Sequence, residues 1–167
     1  MKKILSLTMV LAMLGTALTG CGSKDAAAKT PAESTQQTAP VQQEQSQTEK
    51  ALALINTFAT GDTDTARRLL SDGYIQHNLA YGTGADAFIG SVEYLASADV
   101  KTTVNNIRAF EDGDKVFLQT IYNFAGAGEQ VAFDIFRFDE NGKIAEHWDV
   151  METIADEATW QNQNGKF

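Results

Sequence analysis

The hydrophobic pattern of this chain changes period once, after Asp99, and that change constrains the fold more than any other feature. Before it, apolar residues recur at helical spacing. Leu52, Ile55, Phe58 and Ala59 predict a helix over 50–60, stopped by Gly61-Asp62. Thr63 or Asp64 caps a second helix that carries Ala66, Leu69 and Leu70 and ends at Asp72-Gly73. Tyr74-Ile75-Gln76-His77-Asn78 reads as a short extended segment and Gly82-Thr83-Gly84 as a loop. Thr83 or Asp86 then opens a third helix through about Ala96, with Phe88, Ile89, Val92 and Leu95 on one side. Beyond Asp99 the period is two, which predicts strands over 102–110, 116–124, 130–139 and 143–151. Glu140-Asn141-Gly142 suits a type I turn closed by glycine in the left-handed region, pairing Asp139 with Lys143. Three helices followed by four long antiparallel strands indicate an α+β domain. A curved sheet wrapped around those helices encloses a cavity.

What precedes residue 50 is of two other kinds. Residues 1–20 have a positive start, Lys2 and Lys3, followed by the mostly apolar Ile4 to Leu18, broken by Gly15 and Thr16. That run is too short and too interrupted for a stable span and reads as a signal segment. Residues 21–49 hold Pro31 and Pro40, no aromatic residue and one branched aliphatic, Val41. Such a stretch buries too little apolar area to offset the entropy of ordering, so it reads as a flexible tether. Every aromatic residue lies at Phe58 or later, so residues 50–167 form the folded domain.

Of the 167 residues, one is cysteine and two are histidine, and the formal net charge is −9. A single cysteine rules out an intramolecular disulfide or a cysteine-cluster metal site. The negative balance argues against nucleic acid. Losing Lys2 and Lys3 with the signal takes the charge to −11, which disfavours direct contact with an anionic lipid surface. Leu18-Thr19-Gly20-Cys21 resembles the lipobox of bacterial lipoproteins. The resemblance implies cleavage before Cys21, acylation of its thiol and usually of the new amino terminus, and anchoring by two or three acyl chains. Gly22 and Ser23 follow Cys21. The expected location is therefore the outer face of the membrane, or the outer membrane of a two-membrane bacterium.

The hairpin from Asp134 to Val150, containing Asp139-Glu140-Asn141-Gly142-Lys143 and Glu146-His147-Trp148-Asp149, resembles the signature of SnoaL-like proteins, a branch of the nuclear transport factor 2-like superfamily. Tyr74-Ile75-Gln76-His77-Asn78 is similar to the same family's motif after its second helix, with Leu79 where many relatives have proline. The resemblance covers nearly all of 50–167. It implies a cone-shaped, cystatin-like α+β barrel with an apolar pocket between sheet and helices. Characterised relatives include polyketide cyclases that work by intramolecular aldol condensation, isomerases, dehydratases and epoxide hydrolases. Their recurring device is an Asp or His in an apolar cavity, generally without metal, and no cofactor is expected here.

Strand alternation sorts the hairpin into faces. With Asp139 opposite Lys143, His147 falls opposite Ile135 and Asp149 opposite Phe133. One face then holds Phe133, Ile135, His147, Asp149 and Met151, which we take as pocket lining together with Tyr74 and Ile75. The other holds Asp134, Phe136, Glu146 and Trp148. By resemblance Asp149 matches the family's acid/base carboxylate. Apolar walls raise a carboxylate's pKa, which suits proton abstraction next to a carbonyl or activation of water. His147 tunes it, and His77 reaches in from the opposite wall to hold an oxygen or return the proton, with Tyr74 a weaker alternative. The plainer readings stand beside these. Asp149 is then a structural carboxylate bonded to a helix end or to His77, and His147 a satisfied half-buried histidine. Trp148 with Phe136 is then core or a homodimer interface, and Asp134 with Arg137 a surface ion pair. Glu111-Asp112-Asp114 is a solvated turn without calcium-loop spacing. No metal is expected, since no histidine pair at helical spacing exists.

Three functions fit, in this order: a membrane-tethered module that binds a small, largely apolar molecule; a cofactor-independent acid/base enzyme using Asp149 with His147 or His77; and a partner-binding envelope protein using Phe136 and Trp148. The anchoring expectation is directly testable. Replacing Cys21 by Ser should abolish the acyl mass on the mature amino terminus and release the protein from the membrane fraction. An unlipidated, soluble wild-type protein would contradict it.

Overall fold

The computed structural model describes residues 44–167. The expected signal segment, Cys21 and the first part of the expected tether lie outside the described residues. Helix α1 spans Gln47–Thr60, α2 Thr63–Leu69 and α3 Ala85–Ser97. The strands are β1 Leu70–Gln76, β2 Thr103–Asp112, β3 Lys115–Asn123, β4 Gln130–Phe138 and β5 Ile144–Thr153. They form one sheet in the order β1-β5-β4-β3-β2, with β1 parallel to β5 and the other pairs antiparallel. The expected α+β architecture is present, with one correction. The extended segment after α2 joins the sheet as a fifth strand, so the sheet is mixed. Leu70, expected in the second helix, has extended backbone angles and begins that strand.

Helix α1 starts at Gln47, three residues before the expected boundary. Ser46 caps it: the Glu49 N–H donates to Ser46 Oγ, and the Ser46 N–H donates to the Glu49 carboxylate, which together make a capping box. Gly61 ends it in the left-handed region with its N–H on Thr57 O. A Cβ there would stand 2.8 Å from the Ala96 side chain, so this glycine also lets α1 end against α3. Ala51, Leu54 and Ile55 of α1 and Phe88, Ile89 and Val92 of α3 pack on the inner face of the sheet. There they meet Val116, Leu118, Tyr122, Ala132, Phe136 and Ile144.

The β4–β5 hairpin departs from simple alternation. Its turn is as expected: the Asp139 N–H donates to Lys143 O, and Gly142 sits at φ +68°. But Phe138 faces Ile144 while Arg137 faces Glu146, so Ala145 is an extra residue on β5. Ile144 and Ala145 are consecutive and both buried, which a regular strand with one solvated face does not allow. Beyond this bulge the pairs are Phe136 with His147, Asp134 with Asp149 and Ala132 with Met151. The expected pairs, His147 with Ile135 and Asp149 with Phe133, are each displaced by one. One residue of slip moves a whole set of side chains to the other face. Phe136 is accordingly fully buried rather than on an interface, and Phe133 is 55% exposed rather than lining the pocket.

This register makes a testable contrast. Phe136→Ala should cost about 3–5 kcal/mol of stability, as for a buried aromatic, and Phe133→Ala less than about 1 kcal/mol. Denaturant unfolding of the two variants measures it; equal costs would contradict the bulge.

Candidate functional site

Between the inner sheet face and the helices lies a cavity of about 730 Å³. Alternation along β5 sends His147, Asp149 and Met151 into it, and alternation along β1 sends Tyr74 and Gln76. From β4 come Asp134 and Phe136, from β3 Tyr122, and from the helices Ile55, Phe58, Phe88, Ser91 and Leu95. Tyr81-Gly82 and the segment Phe124–Ala127 complete the wall. Four of the expected lining or catalytic residues are therefore together: Tyr74, His147, Asp149 and Met151.

The others are elsewhere. Phe133 and Ile135 lie on the outer face of the sheet, because the Ala145 bulge inverts the β4 set. Ile75 alternates outward from β1 and is 44% exposed. His77 is also outward: its ring stacks on Trp148 at 4.4 Å, and Nε2 is 2.9 Å from Glu146 Oε2. Arg137 donates from Nε to the other oxygen of Glu146 at 2.7 Å. These two partners, His77 first, hold the Glu146 carboxyl below its ordinary range. The expected Asp134–Arg137 surface pair is thus an Arg137–Glu146 pair, with Asp134 buried. Asp134, Gln76 and Tyr122 are site members that the sequence expectation missed. The alternation Tyr74-x-Gln76 was a readable signal for Gln76. Asp134 depended on the bulge.

The buried polar groups form one network. His147 is 6% exposed, its ring stacked on Phe136 at 4.3 Å. The amide of Gln76 is oriented by the Asn78 N–H, which donates to Gln76 Oε1 at 2.9 Å. Gln76 Nε2 consequently faces His147 Nδ1 at 3.0 Å and donates to it. That sets the tautomer with the proton on Nε2. Nε2 lies 3.2 Å from Asp134 Oδ1 and 4.0 Å from Asp149 Oδ2. The Tyr122 hydroxyl donates to Asp134 Oδ2 at 2.9 Å, and Asn78 Nδ2 donates to Asp149 Oδ1 at 2.6 Å. Asp134, His147 and Asp149 each offer an atom within 4.8 Å of the others, a spacing that could hold a metal ion. The nitrogen that faces both carboxylates carries a proton, however, and is a donor rather than a ligand in this network.

Burial pushes the Asp149 carboxyl up from its ordinary range and the Asp134 charge adds to this, while His147 and Asn78 pull it back. Burial, reinforced by the neighbouring aspartates, also holds the Tyr74 and Tyr122 phenols above their ordinary value, so both remain proton donors. The arrangement can therefore accept a proton at Asp149 and donate a hydrogen bond from Tyr74 in a largely apolar space.

A model of the SnoaL-like domain family matches residues 51–147. No curated protein matches the chain. Among solved structures, TsrD from Streptomyces laurentii superposes with a TM-score of 0.54 at 19% identity, over 63% of this chain and 87% of that one. An LEH-like epoxide hydrolase of M. tuberculosis gives 0.54 at 18%, over 62% and 80%. IdmH of Streptomyces antibioticus, described as a candidate polyketide cyclase, gives 0.52 at 18%, over 65% and 93%. Likeness at these identities establishes the shared fold.

The raised pKa of Asp149 has a consequence for stability. A carboxylate that binds its proton more tightly when folded costs stability once pH rises through its folded pKa, and costs nothing below its unfolded pKa. Asp149→Asn keeps an acceptor for Asn78 and removes the buried charge. It should raise Tm at pH 7, and the gain should shrink as pH falls through the raised carboxyl pKa and vanish below the ordinary carboxylate range. Thermal melts across pH check this; a less stable variant at pH 7 would contradict it.

Proposed function

Because the chain belongs to the SnoaL-like domain family, we propose that its cavity acts on a small, largely apolar carbonyl compound by cofactor-independent acid–base chemistry, with Asp149 as the base. The observation that carries this reading is the setting of Asp149. Its side chain is 6% exposed, Asn78 holds one oxygen, and the other faces the cavity beside a protonated His147 nitrogen. A carboxylate so desolvated is a stronger base than one in water, and a fixed carboxylate at a cavity wall costs little reorganisation when it reacts. Asp149 Oδ2 takes the proton from carbon next to the carbonyl. Tyr74 is the neutral donor available to the oxygen on which charge develops, since the one proton of His147 is engaged by Asp134. Asp134 and Gln76 hold His147 in the tautomer that turns its N–H toward the carboxylates. Fold likeness to an epoxide hydrolase and to a candidate polyketide cyclase supports the reading by analogy.

Binding without turnover is the second reading, and the amino-terminal sequence favours it. An outward-facing lipoprotein anchored through Cys21, as the lipobox resemblance implies, has no ready supply of cytosolic intermediates. Both readings use the same cavity, and one measurement separates them. In deuterated buffer with 2-tetralone as probe, an acid–base site should accelerate exchange of the hydrogens next to the carbonyl, read by NMR. Asp149→Asn should slow that exchange by about 10²–10⁴-fold. Saturable binding of the probe with no exchange above buffer would leave a binding module, and exchange undiminished in the variant would remove Asp149 as the base.

A further inference from the structure

The charge-bearing side chains of the cavity are mostly acidic. Its lining includes two acids, Asp134 and Asp149, together with His147, and among the described residues no lysine or arginine lines it. The two acids face each other as a cross-strand pair, and their side chains are 4% and 6% exposed. Like charges so placed repel, and a low-dielectric wall strengthens the repulsion. Asp134 has both oxygens engaged, by Tyr122 and by His147. Asp149 Oδ2 has no hydrogen bond among the described residues. His147 Nε2 stands 4.0 Å away, beyond hydrogen-bond distance, so this nearly buried oxygen is left aimed at whatever fills the cavity.

The rest of the wall is aromatic to an unusual degree. Phe58 and Phe88 have ring centroids 4.9 Å apart, and Tyr122 and Phe124 stack at the same spacing. Aromatic faces carry partial negative charge and attract cations, most strongly when water is excluded. An anionic ligand would meet two carboxylates and ring faces with no compensating cation. A neutral ligand would leave the repulsion between Asp134 and Asp149 unrelieved.

We infer that the ligand of this cavity is an apolar organic cation, an alkyl- or aryl-ammonium whose hydrocarbon body lies among the aromatic rings and whose charge sits in the field of Asp134 and Asp149. The inference rests on the reading that the cavity is a ligand site, and it adds a requirement to the proposed chemistry. Taking a proton from carbon next to a carbonyl develops negative charge on oxygen. This cavity offers only neutral donors there. A substrate that carries its own ammonium near the reacting carbon supplies the missing positive charge.

Three matched probes test this on the full chain, by titration calorimetry in the presence of a chelator: 1-naphthylmethylammonium, 1-naphthylmethanol and 1-naphthoate. The ammonium should bind at least about ten-fold more tightly than the alcohol, and the carboxylate most weakly. Asp149→Asn should draw the ammonium-to-alcohol ratio toward one. The exposed-site variant Asp72→Asn should leave that ratio as it is, which separates the cavity's field from the acidity of the whole surface. Alcohol or carboxylate binding as tightly as the ammonium would overturn the inference while leaving the cavity a ligand site. A ratio shifted equally by both variants would overturn it too. Failure of all three probes to bind would remove the ligand-site reading with it.

Discussion

One extra residue on β5, Ala145, decides what this cavity contains. Side chains alternate strictly along a strand, so the residues of β4 that face the helices depend on the count of residues between the turn and the first inward pair. With Ala145 bulged, Phe136 pairs with His147 and Asp134 with Asp149. Without it, the same turn would bring Phe133 and Ile135 inward, and Asp149 and His147 would face hydrocarbon from β4 instead of Asp134. The bulge converts that apolar wall into a polar network and moves two large apolar side chains to the outer face. Bulges that re-aim side chains next to a site are a recurring device of β-structure. Here the device costs one unpaired residue in the ladder.

The network it creates is strained electrostatically and satisfied geometrically. Asp134 on the adjacent strand disfavours ionisation of Asp149, and donors from three parts of the chain hold the two carboxylates. Tyr122 comes from β3, His147 from β5, and Asn78 from the segment just after β1. Asp134 is left with both oxygens engaged, while Asp149 keeps one oxygen for the cavity. Burial raises the pKa of Asp149, and an amide at that position would avoid the cost of burying the charge.

How much of this was legible in the sequence follows from the range of the interactions involved. The switch of period at Asp99 and the glycine at 142 act within a few residues, and both appear in the structure where the chain suggested them. Ser46 with Glu49 is an equally local signal, a capping box that places the start of α1 at Gln47. The inward set of β5, His147, Asp149 and Met151, also follows from alternation alone. The partners on β4 do not, because they depend on Ala145, and neither residue type nor periodicity marks it as extra. His77 illustrates the same limit. It lies next to the chemistry in sequence, but β1 pairs parallel with β5, and that long-range pairing puts Gln76 inward and His77 outward.

The outer face shows why that parallel edge is held so firmly. His77 stacks on Trp148 and meets Glu146, whose other oxygen takes a hydrogen bond from Arg137. One carboxylate thereby ties β1, β5 and β4 together, one strand apart on either side of itself. An exposed ion pair alone contributes little, but this one is a three-residue arrangement with a stacked ring and a lowered Glu146 pKa. Its position matters more than its energy. Directly behind it, on the inner face, β1 presents Gln76 to His147, and the following Asn78 reaches Asp149. Fixing the outward residues of β1 fixes the inward ones, since the two sets share a backbone. The outer cluster therefore acts as the frame for the inner site, and His77 contributes to that site through geometry while never entering it.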